Sequence, residues 1–384
     1  MPPLASDNDP VLRSEGEAPD GAIAVWAITP GGARLSGVLC RSLFPCCRLL
    51  PAALRAEAKD EIDFGGGDCR TFTKLSEAVS RAFHRFSGHV FIMATGIVVR
   101  LIAKRLVHKT VDPAVVVVDD RGLYSISLLS GHLGGANELA ERVAKILGAT
   151  PVVTTATDVN NVPSIDLLAK SAGLVIENPG AIKYINKAFL AGRAIRFHDP
   201  FRRILPAVPK RFVLEADAPG GGVAAKRSPA AGAIPSVYVD DRIVALPAET
   251  LVLRPKTLFA GMGCNRGTKV GEMRALLMSE LEKNGLAHHS LGGLASVDIK
   301  SDEVGLLALA KELSLELKFF SRDALAVVPD IKTPSTMVEK HIGVKSVCEA
   351  AAILAAKKGT LIVPKAKTKN VTVAIARAPF ISSV

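Results

Sequence analysis

Four apolar runs between residues 89 and 158 constrain this chain more than anything else in it. HVFIMAT (His89–Thr95), AVVVVD (Ala114–Asp119), LYSISLL (Leu123–Leu129) and PVVTTATD (Pro151–Asp158) are each of strand length. AVVVVD is a continuous β-branched run, as in a central parallel strand buried on both faces. Helical stretches, Ile97–Leu106 and Glu138–Leu147, lie between the runs. Strands alternating with helices imply an α/β layer fold with a mostly parallel sheet and flanking helices. Ala22–Thr29 adds an apolar strand ending at Pro30-Gly31-Gly32, with a helix through Leu35–Leu43 and another over Lys74–Arg85. Arg48–Cys69 gives a poor signal, and Gly65-Gly66-Gly67 marks a loop.

The remaining chain divides into two further α/β segments. The expected organisation is a disordered leader over residues 1–20, an N-terminal α/β domain over 21–158, a small middle α/β domain over 159–253, and a C-terminal α/β domain over 257–384. In the middle domain, helices near Ile165–Ala172 and Ala181–Leu190 flank a strand at Leu174–Ile176. Val237–Asp241 and Ile243–Pro247 read as strands joined by a tight turn, and the Gly/Ala/Pro-rich Ala216–Ala233 as an insertion. Leu253–Lys256 (LRPK) reads as a linker. After it come a strand at Thr257–Gly261, the loop GMGCNRGT, and helices over Val270–Asn284, Glu303–Leu313 and Ser346–Lys357. Glu316–Phe320 is a strand, and TLIVPK with NVTVAIARA make two closing strands.

Composition narrows the function. Hydrophobic residues are 48% of the chain and aromatic residues 5%, so the core must be aliphatic. A net charge of +11 attracts polyanions such as nucleic acid, anionic lipid or a small polycarboxylate. The basic residues are dispersed and lack interleaved aromatics for base stacking, which argues against nucleic acid. No apolar run spans a bilayer without a charge or turn residue, so no membrane partner is expected. The six cysteines form no C-x-x-C pair and no zinc spacing. The N-terminal stretch lacks a signal-peptide pattern. Together these imply a cytoplasmic protein with reduced thiols.

The strongest local feature is a strand followed by Ser130-Gly131-His132-Leu133-Gly134-Gly135-Ala136-Asn137 and a helix. Glycines there let the backbone turn sharply and offer N–H groups to an anion, with the helix dipole adding to the attraction. His132 in that loop suits a base or an axial metal ligand. The spacing matches neither a dinucleotide nor a Walker loop. A plain helix entry capped by Asn137 is the alternative. Thr154-Thr155-Ala156-Thr157-Asp158 closes the next strand, where Asp158 could act as base or orient His132, or simply cap a helix. Thr95-Gly96 and Arg100 also follow a strand, Arg100 being able to grip a carboxylate. Gly263, Cys264 and Arg266 lie in a second glycine-rich loop of the same kind. Cys264 reads better as an incidental thiol than as a nucleophile.

The stretch FIMATGIVVRLIA, DPAVVVVDDRG, SISLLSGHLGGANELAERVA and GATPVVTTATD resembles the cobalt-precorrin-5A hydrolase family. The likeness continues through GLVIENPGAI, GMGCNRGT, DIKSDEVGLLALA, PSTMVEKHIGVKSVCEAAA and the closing K-x-K-x-x-NVTVAIAR. Its C-terminal part also resembles a small stand-alone corrinoid-pathway protein of the aerobic route. Lys104 stands where the family often has proline, and the leader and the stretch near Gly220 look like additions.

The resemblance implies that water opens the δ-lactone of a cobalt-bound, ring-contracted macrocycle. The extruded carbon then leaves with its methyl as acetaldehyde. It implies no separate cofactor, because the substrate carries the cobalt. The expected catalytic residues are His132 as base or acid, Asp158 as its orienter, and Ser130, with the Gly134 and Gly135 amides as oxyanion donors. The expected substrate-binding residues are Gly96, Arg100, Gly131, Gly134, Gly135, Asn137, Thr154, Thr155, Gly263, Cys264 and Arg266. The corrinoid polycarboxylate is the expected partner, without nucleic acid or membrane, and a homodimer is the assembly considered. A non-catalytic corrinoid carrier is the main alternative.

Overall fold

A computed structural model describes residues 21–57, 68–108, 111–214, 234–329, 331–334 and 346–379. The expected leader, the Gly65–Gly67 loop and the insertion at 216–233 lie outside the described residues. The chain falls into two compact units, Met1–Leu167 and Leu168–Val384.

The first unit contains a seven-stranded sheet. In chain order its elements are β1 (Ile23–Ala27), α1 (Pro30–Ser42), β2 (Cys46–Pro51), α2 (Ala52–Glu57), β3 (Asp68–Phe72), α3 (Leu75–Ala82) and β4 (Gly88–Ile92). Then come α4 (Thr95–Ile102), β5 (Ala114–Val118), β6 (Tyr124–Leu129), α5 (Ala136–Leu147), β7 (Thr150–Val152) and the single turn α6 (Ala156–Val159), after which α7 (Ile165–Ser171) runs across the division between the units. The strand order is β3-β2-β1-β4-β5-β6-β7. Every pair is parallel except β5–β6, where Val118 faces Ser125 and Val115 faces Leu129. The mixed, mostly parallel α/β architecture is the one the apolar runs imply.

Several local differences have physical causes. The helix after β1 begins at Pro30, not near Leu35. Thr29 Oγ1 accepts from Gly32 N (2.9 Å), and proline at the first helical position costs no hydrogen bond. The weak signal at 48–69 hides β2, because Arg48 interrupts its apolar pattern while being fully buried. Its Nε donates to Ser36 Oγ (3.2 Å) and its Nη2 to Ala33 O (3.0 Å), both on α1. PVVTTATD stops being a strand at Val152 and closes in α6. Cys40 and Cys46 depart from the expected reduced thiols. They form a disulfide, with Cα atoms 5.5 Å apart at the turn between α1 and β2.

Trp26, the one tryptophan, is fully buried under the sheet among Phe72, His89 and Phe91. Its indole N–H donates to His89 Nδ1 (3.0 Å), and His89 Nε2 lies 2.9 Å from Phe83 O. Only the neutral tautomer protonated at Nε2 serves both partners. Burial pushes this imidazole down to about 4. The folded state therefore resists protonation more than the unfolded chain does. Stability from His89 is complete above about pH 6.5 and is lost as pH falls from there toward 4, by roughly 3 kcal/mol in all. Urea unfolding between pH 7 and 4 should show this slope, and a His89→Gln chain should lack it.

The second unit holds two five-stranded sheets. The first comprises β8 (Val175–Ile176), β9 (Ile195–His198), β10 (Val213–Leu214), β11 (Ser236–Val239) and β12 (Leu251–Arg254), with α8 (Ile182–Leu190), in the order β10-β9-β11-β12-β8. The expected hairpin is absent, since β11 pairs in parallel with β12 and Ile243–Pro247 form no strand. Of LRPK, only Pro255 and Lys256 lie between strands. Leu253 and Arg254 end a buried strand, and Arg254 is paired with Glu177 and donates to the Asp240 and Arg242 carbonyls (2.9 and 2.6 Å).

The last sheet orders its strands β15-β14-β13-β17-β16. Its elements are β13 (Leu258–Cys264), α9 (Val270–Lys283), β14 (Leu291–Val297), α10 (Val304–Glu312), β15 (Leu317–Phe320), α11 (Arg322–Ala326), α12 (Val347–Ala355), β16 (Thr360–Lys367) and β17 (Val371–Arg377). The segment GMGC belongs to β13, paired antiparallel along β17 as far as Cys264–Val371. Gly261 lets α12 sit against this strand, for a Cβ there would lie 1.9 Å from Cys348 O and 2.6 Å from Ala352 N. Gly261→Ala is expected to destabilise the protein by about 3 kcal/mol, the upper end of overpacking effects, as a lowered urea midpoint.

Candidate active site

The antiparallel turn between β5 and β6 decides where the predicted residues go. Asp119 holds that turn, its carboxylate accepting from the amides of Arg121, Leu123 and Tyr124 at 3.0, 2.8 and 2.7 Å. Because β6 runs backwards, its end at Leu129 lies beside the start of β5. The Ser130–Gly135 loop therefore sits at the amino edge of the parallel strands. Thr95, Gly96 and Arg100 follow β4 and sit at the carboxyl edge, one strand length away, roughly 15 Å. The structure thus separates two groups that the sequence reading had combined. Arg100 Nη1 donates to Gly96 O (3.0 Å), so this arm lies along its own helix.

At the amino edge, β7 runs parallel to β6 and delivers Thr154–Asp158 next to His132. His132 Nε2 is 2.8 Å from Asp158 Oδ2 and 3.0 Å from Thr157 Oγ1. On the other side of the ring, Nδ1 is 3.2 Å from Ser164 Oγ and 3.4 Å from Asp166 Oδ2. Ser164 Oγ also donates to Asp166 Oδ1. Neither nitrogen could bond a metal axially without breaking one of these contacts. The hydrogen bond to Asp166 does most to raise the His132 pKa above the ordinary imidazole value. Burial opposes it, and Asp158 adds to it. The Asp158 carboxyl lies below the usual range. Burial works against this, and the bonds from Thr155 and His132 outweigh it.

Asn137 is buried and does not cap α5. It accepts from Ser127 Oγ at Oδ1 (2.7 Å) and donates to Thr155 Oγ1 (2.9 Å) and Asp158 Oδ2 (3.2 Å). Its place is behind Asp158 as a support, and Thr155 likewise donates to Asp158 Oδ2. Thr154 is exposed. Ser130 stands at φ 59°, a strained setting for a residue with a side chain, and its Oγ donates to Asp112 O (2.9 Å). Gly131 and Gly134 are dictated by space. A Cβ would come within 2.7 Å of Asn137 Oδ1 at the first and 2.3 Å of Ser130 Cβ at the second.

The anion cradle expected at the entry to α5 is filled by the loop itself. Gly135 N donates to His132 O (3.0 Å), Ala136 N to Ser130 O (3.1 Å) and Asn137 N to Gly131 O (3.0 Å). The Gly135 amide is therefore engaged within the loop. Sequence reasoning missed Asp166 and Ser164. The available signal was Ser164-Ile165-Asp166 opening a helix, which looks like an ordinary cap.

Gly263, Cys264 and Arg266 belong to the second unit. Gly263 and Cys264 lie in β13, and burial pushes the Cys264 thiol up, which keeps it a poor nucleophile. Arg266 pairs with Asp302 (2.6 Å) and lines a cavity of about 430 Å³ with Thr268, Lys269 and Glu303. Among the described residues no cluster of His, Cys, Asp and Glu is arranged to hold a metal ion, and no helix is long and apolar enough to cross a membrane.

Three sequence families match in succession along the chain. Cobalamin synthesis G N-terminal covers residues 77–158, the cobalamin biosynthesis central region 163–255, and cobalamin synthesis G C-terminus 258–376. The chain is 35% identical over 313 residues to the cobalt-precorrin-5A hydrolase of Priestia megaterium, covering 78% of this chain and 80% of that protein. To the Salmonella typhimurium enzyme of that name it is 33% identical over 358 residues, 92% of this chain and 97% of the relative. Protein CobE of Sinorhizobium sp. is 32% identical over 121 residues, 31% of this chain and 79% of that protein. The chain therefore belongs to the cobalt-precorrin-5A hydrolase family and, with it, to cobalamin biosynthesis.

Proposed function

We propose that this chain opens the δ-lactone of cobalt-precorrin-5A and releases acetaldehyde to give cobalt-precorrin-5B, with the His132–Asp158 cluster as the acid–base unit. The observation that carries this reading is His132 clamped between two carboxylates in a strained, glycine-shaped loop. Lactone opening adds water to the carbonyl carbon and breaks the ring C–O bond, which needs a proton acceptor and a proton donor at one place. The freed hydroxyl then loses its proton as the C–C bond breaks. The carbon becomes the aldehyde, and the bonding electrons pass to the macrocycle, which takes up a proton. The substrate's own cobalt macrocycle is the electron sink, so the reading calls for no resident cofactor.

Leu106, Val107 and Val111 are exposed beside Asp112, whose carbonyl accepts from Ser130 and whose Oδ1 accepts from Val107 N (2.9 Å). They supply an apolar face of the kind a large ring needs at the reacting centre. Arg266, Gly263 and Cys264, in the second unit, stay candidate substrate-binding residues. The reading divides the chain into domains at 21–158, 159–253 and 257–384. It assigns the chain to the cytoplasm, with neither nucleic acid nor membrane as partner and a homodimer as the assembly to check. Anaerobic incubation with enzymatically prepared cobalt-precorrin-5A tests it. Acetaldehyde should appear with the parent chain and fall sharply with His132→Ala. Corrinoid binding without acetaldehyde from the parent would favour the carrier alternative.

A further inference from the structure

Side-chain exposure in the cluster falls in order, from 38% at Asp158 to 15% at His132 and 7% at Asp166. A reactant arriving from solvent meets Asp158 first. Both imidazole nitrogens already face oxygen atoms of the cluster, so neither is free to meet a water molecule without breaking one of these contacts. The side-chain hydrogen bonds that reach the Asp158 carboxylate, from His132, Asn137, Thr155 and Thr157, all end on Oδ2. Oδ1 takes none of them.

We infer that Asp158, through Oδ1, is the base that receives the proton of the attacking water, and that His132 and Asp166 stand behind it as positioning residues. This rests on the lactone-opening reading above. Oδ1 takes one proton from water as the water oxygen bonds to the lactone carbonyl carbon and the carbonyl electron pair moves onto its oxygen. When that intermediate collapses, the ring C–O bond breaks and the departing oxygen takes the proton back from Asp158. One water is added, and the carboxylate is restored. An imidazole facing carboxylates on both sides fits best as imidazolium, donating from both nitrogens. In that form it keeps Asp158 ionised and aimed, while Asp166 keeps His132 charged. The charged groups facing the ring are Asp158 on α6 and Asp166 on α7. Thr157, Ser164 and, through Asp158, Asn137 on α5 supply the neutral contacts.

The pH dependence of kcat/KM for acetaldehyde release by the full chain separates the two possible bases without any substitution. With Asp158 as base, activity persists below pH 6.5 and its acid limb lies in the carboxylate range. A limb above 6.5, where His132 titrates, overturns the inference while leaving the lactone-opening reading intact. Asp166→Asn should lower kcat roughly tenfold with KM unchanged and move the acid limb upward, as Asp158 loses its charged neighbour. A lowered melting temperature and altered KM with the limb unmoved would overturn the positioning role of Asp166. Unchanged acetaldehyde release from both Asp158→Asn and His132→Gln at every pH would remove the cluster from the reaction, and the underlying reading of the site with it.

Discussion

An Asp158→Asn chain is expected to bind the corrinoid and to release acetaldehyde about 10²–10⁴ times more slowly than the parent, the usual contribution of a positioned acid–base group. Asparagine keeps the shape of the carboxylate, and its amide oxygen can still accept from Thr155 and Asn137. It cannot take a proton from water. The loss should therefore fall on kcat, with KM and melting temperature close to the parent. The same assay on Arg100→Ala is the internal comparison. That arm lies at the other edge of the sheet, and its removal should leave the chemical step untouched. Full turnover by Asp158→Asn would move the reaction away from the amino edge of the first sheet.

The largest expected effect on stability lies in the second unit. Asp241 is fully buried, and its carboxylate accepts from Arg377 Nε and Nη2 and from Thr257 Oγ1, each at 2.7 Å. It follows β11 and so ties the middle sheet to one edge of the last one, where Thr257 before β13 lies beside Arg377 at the end of β17. Asp241→Ala would leave the Arg377 guanidinium without its partner in a largely dry place, at a cost of about 3–5 kcal/mol. Replacing both by leucine should cost much less, because an apolar pair leaves no stranded charge. Urea unfolding of the two variants checks the difference. An equal loss in both would mean that packing volume, not charge pairing, holds the sheets together.

The elements that sequence alone revealed are those whose side chains share one environment. β4 and β5 carry runs of β-branched or aromatic residues, and their pattern survives without tertiary knowledge. β2 and β12 were obscured by Arg48 and Arg254, whose guanidinium groups are buried because distant residues satisfy them. β14 (LGGLASV) was obscured by glycines that weaken any strand signal. His132 and Asp158 were legible because a glycine-shaped loop and a Thr/Asp cluster are poorly explained by packing. Asp166 was not, because an acid at a helix start already has an ordinary explanation.

The edge on which the site lies could have been read. The Asp119–Leu123 connection is far shorter than the dozen or so residues that a parallel crossover requires, so β6 had to run backwards. Strand order and direction, not the motif itself, kept Gly96 and Arg100 from joining His132.

The buried position of Trp26 has a practical consequence. It is the sole tryptophan, and it lies in the first unit, bonded to His89 and stacked on Phe91. Emission excited selectively from tryptophan therefore carries no signal from the second unit, while circular dichroism sums over both. Disagreement between the two melting curves would time the opening of each unit separately, with no label attached to the chain.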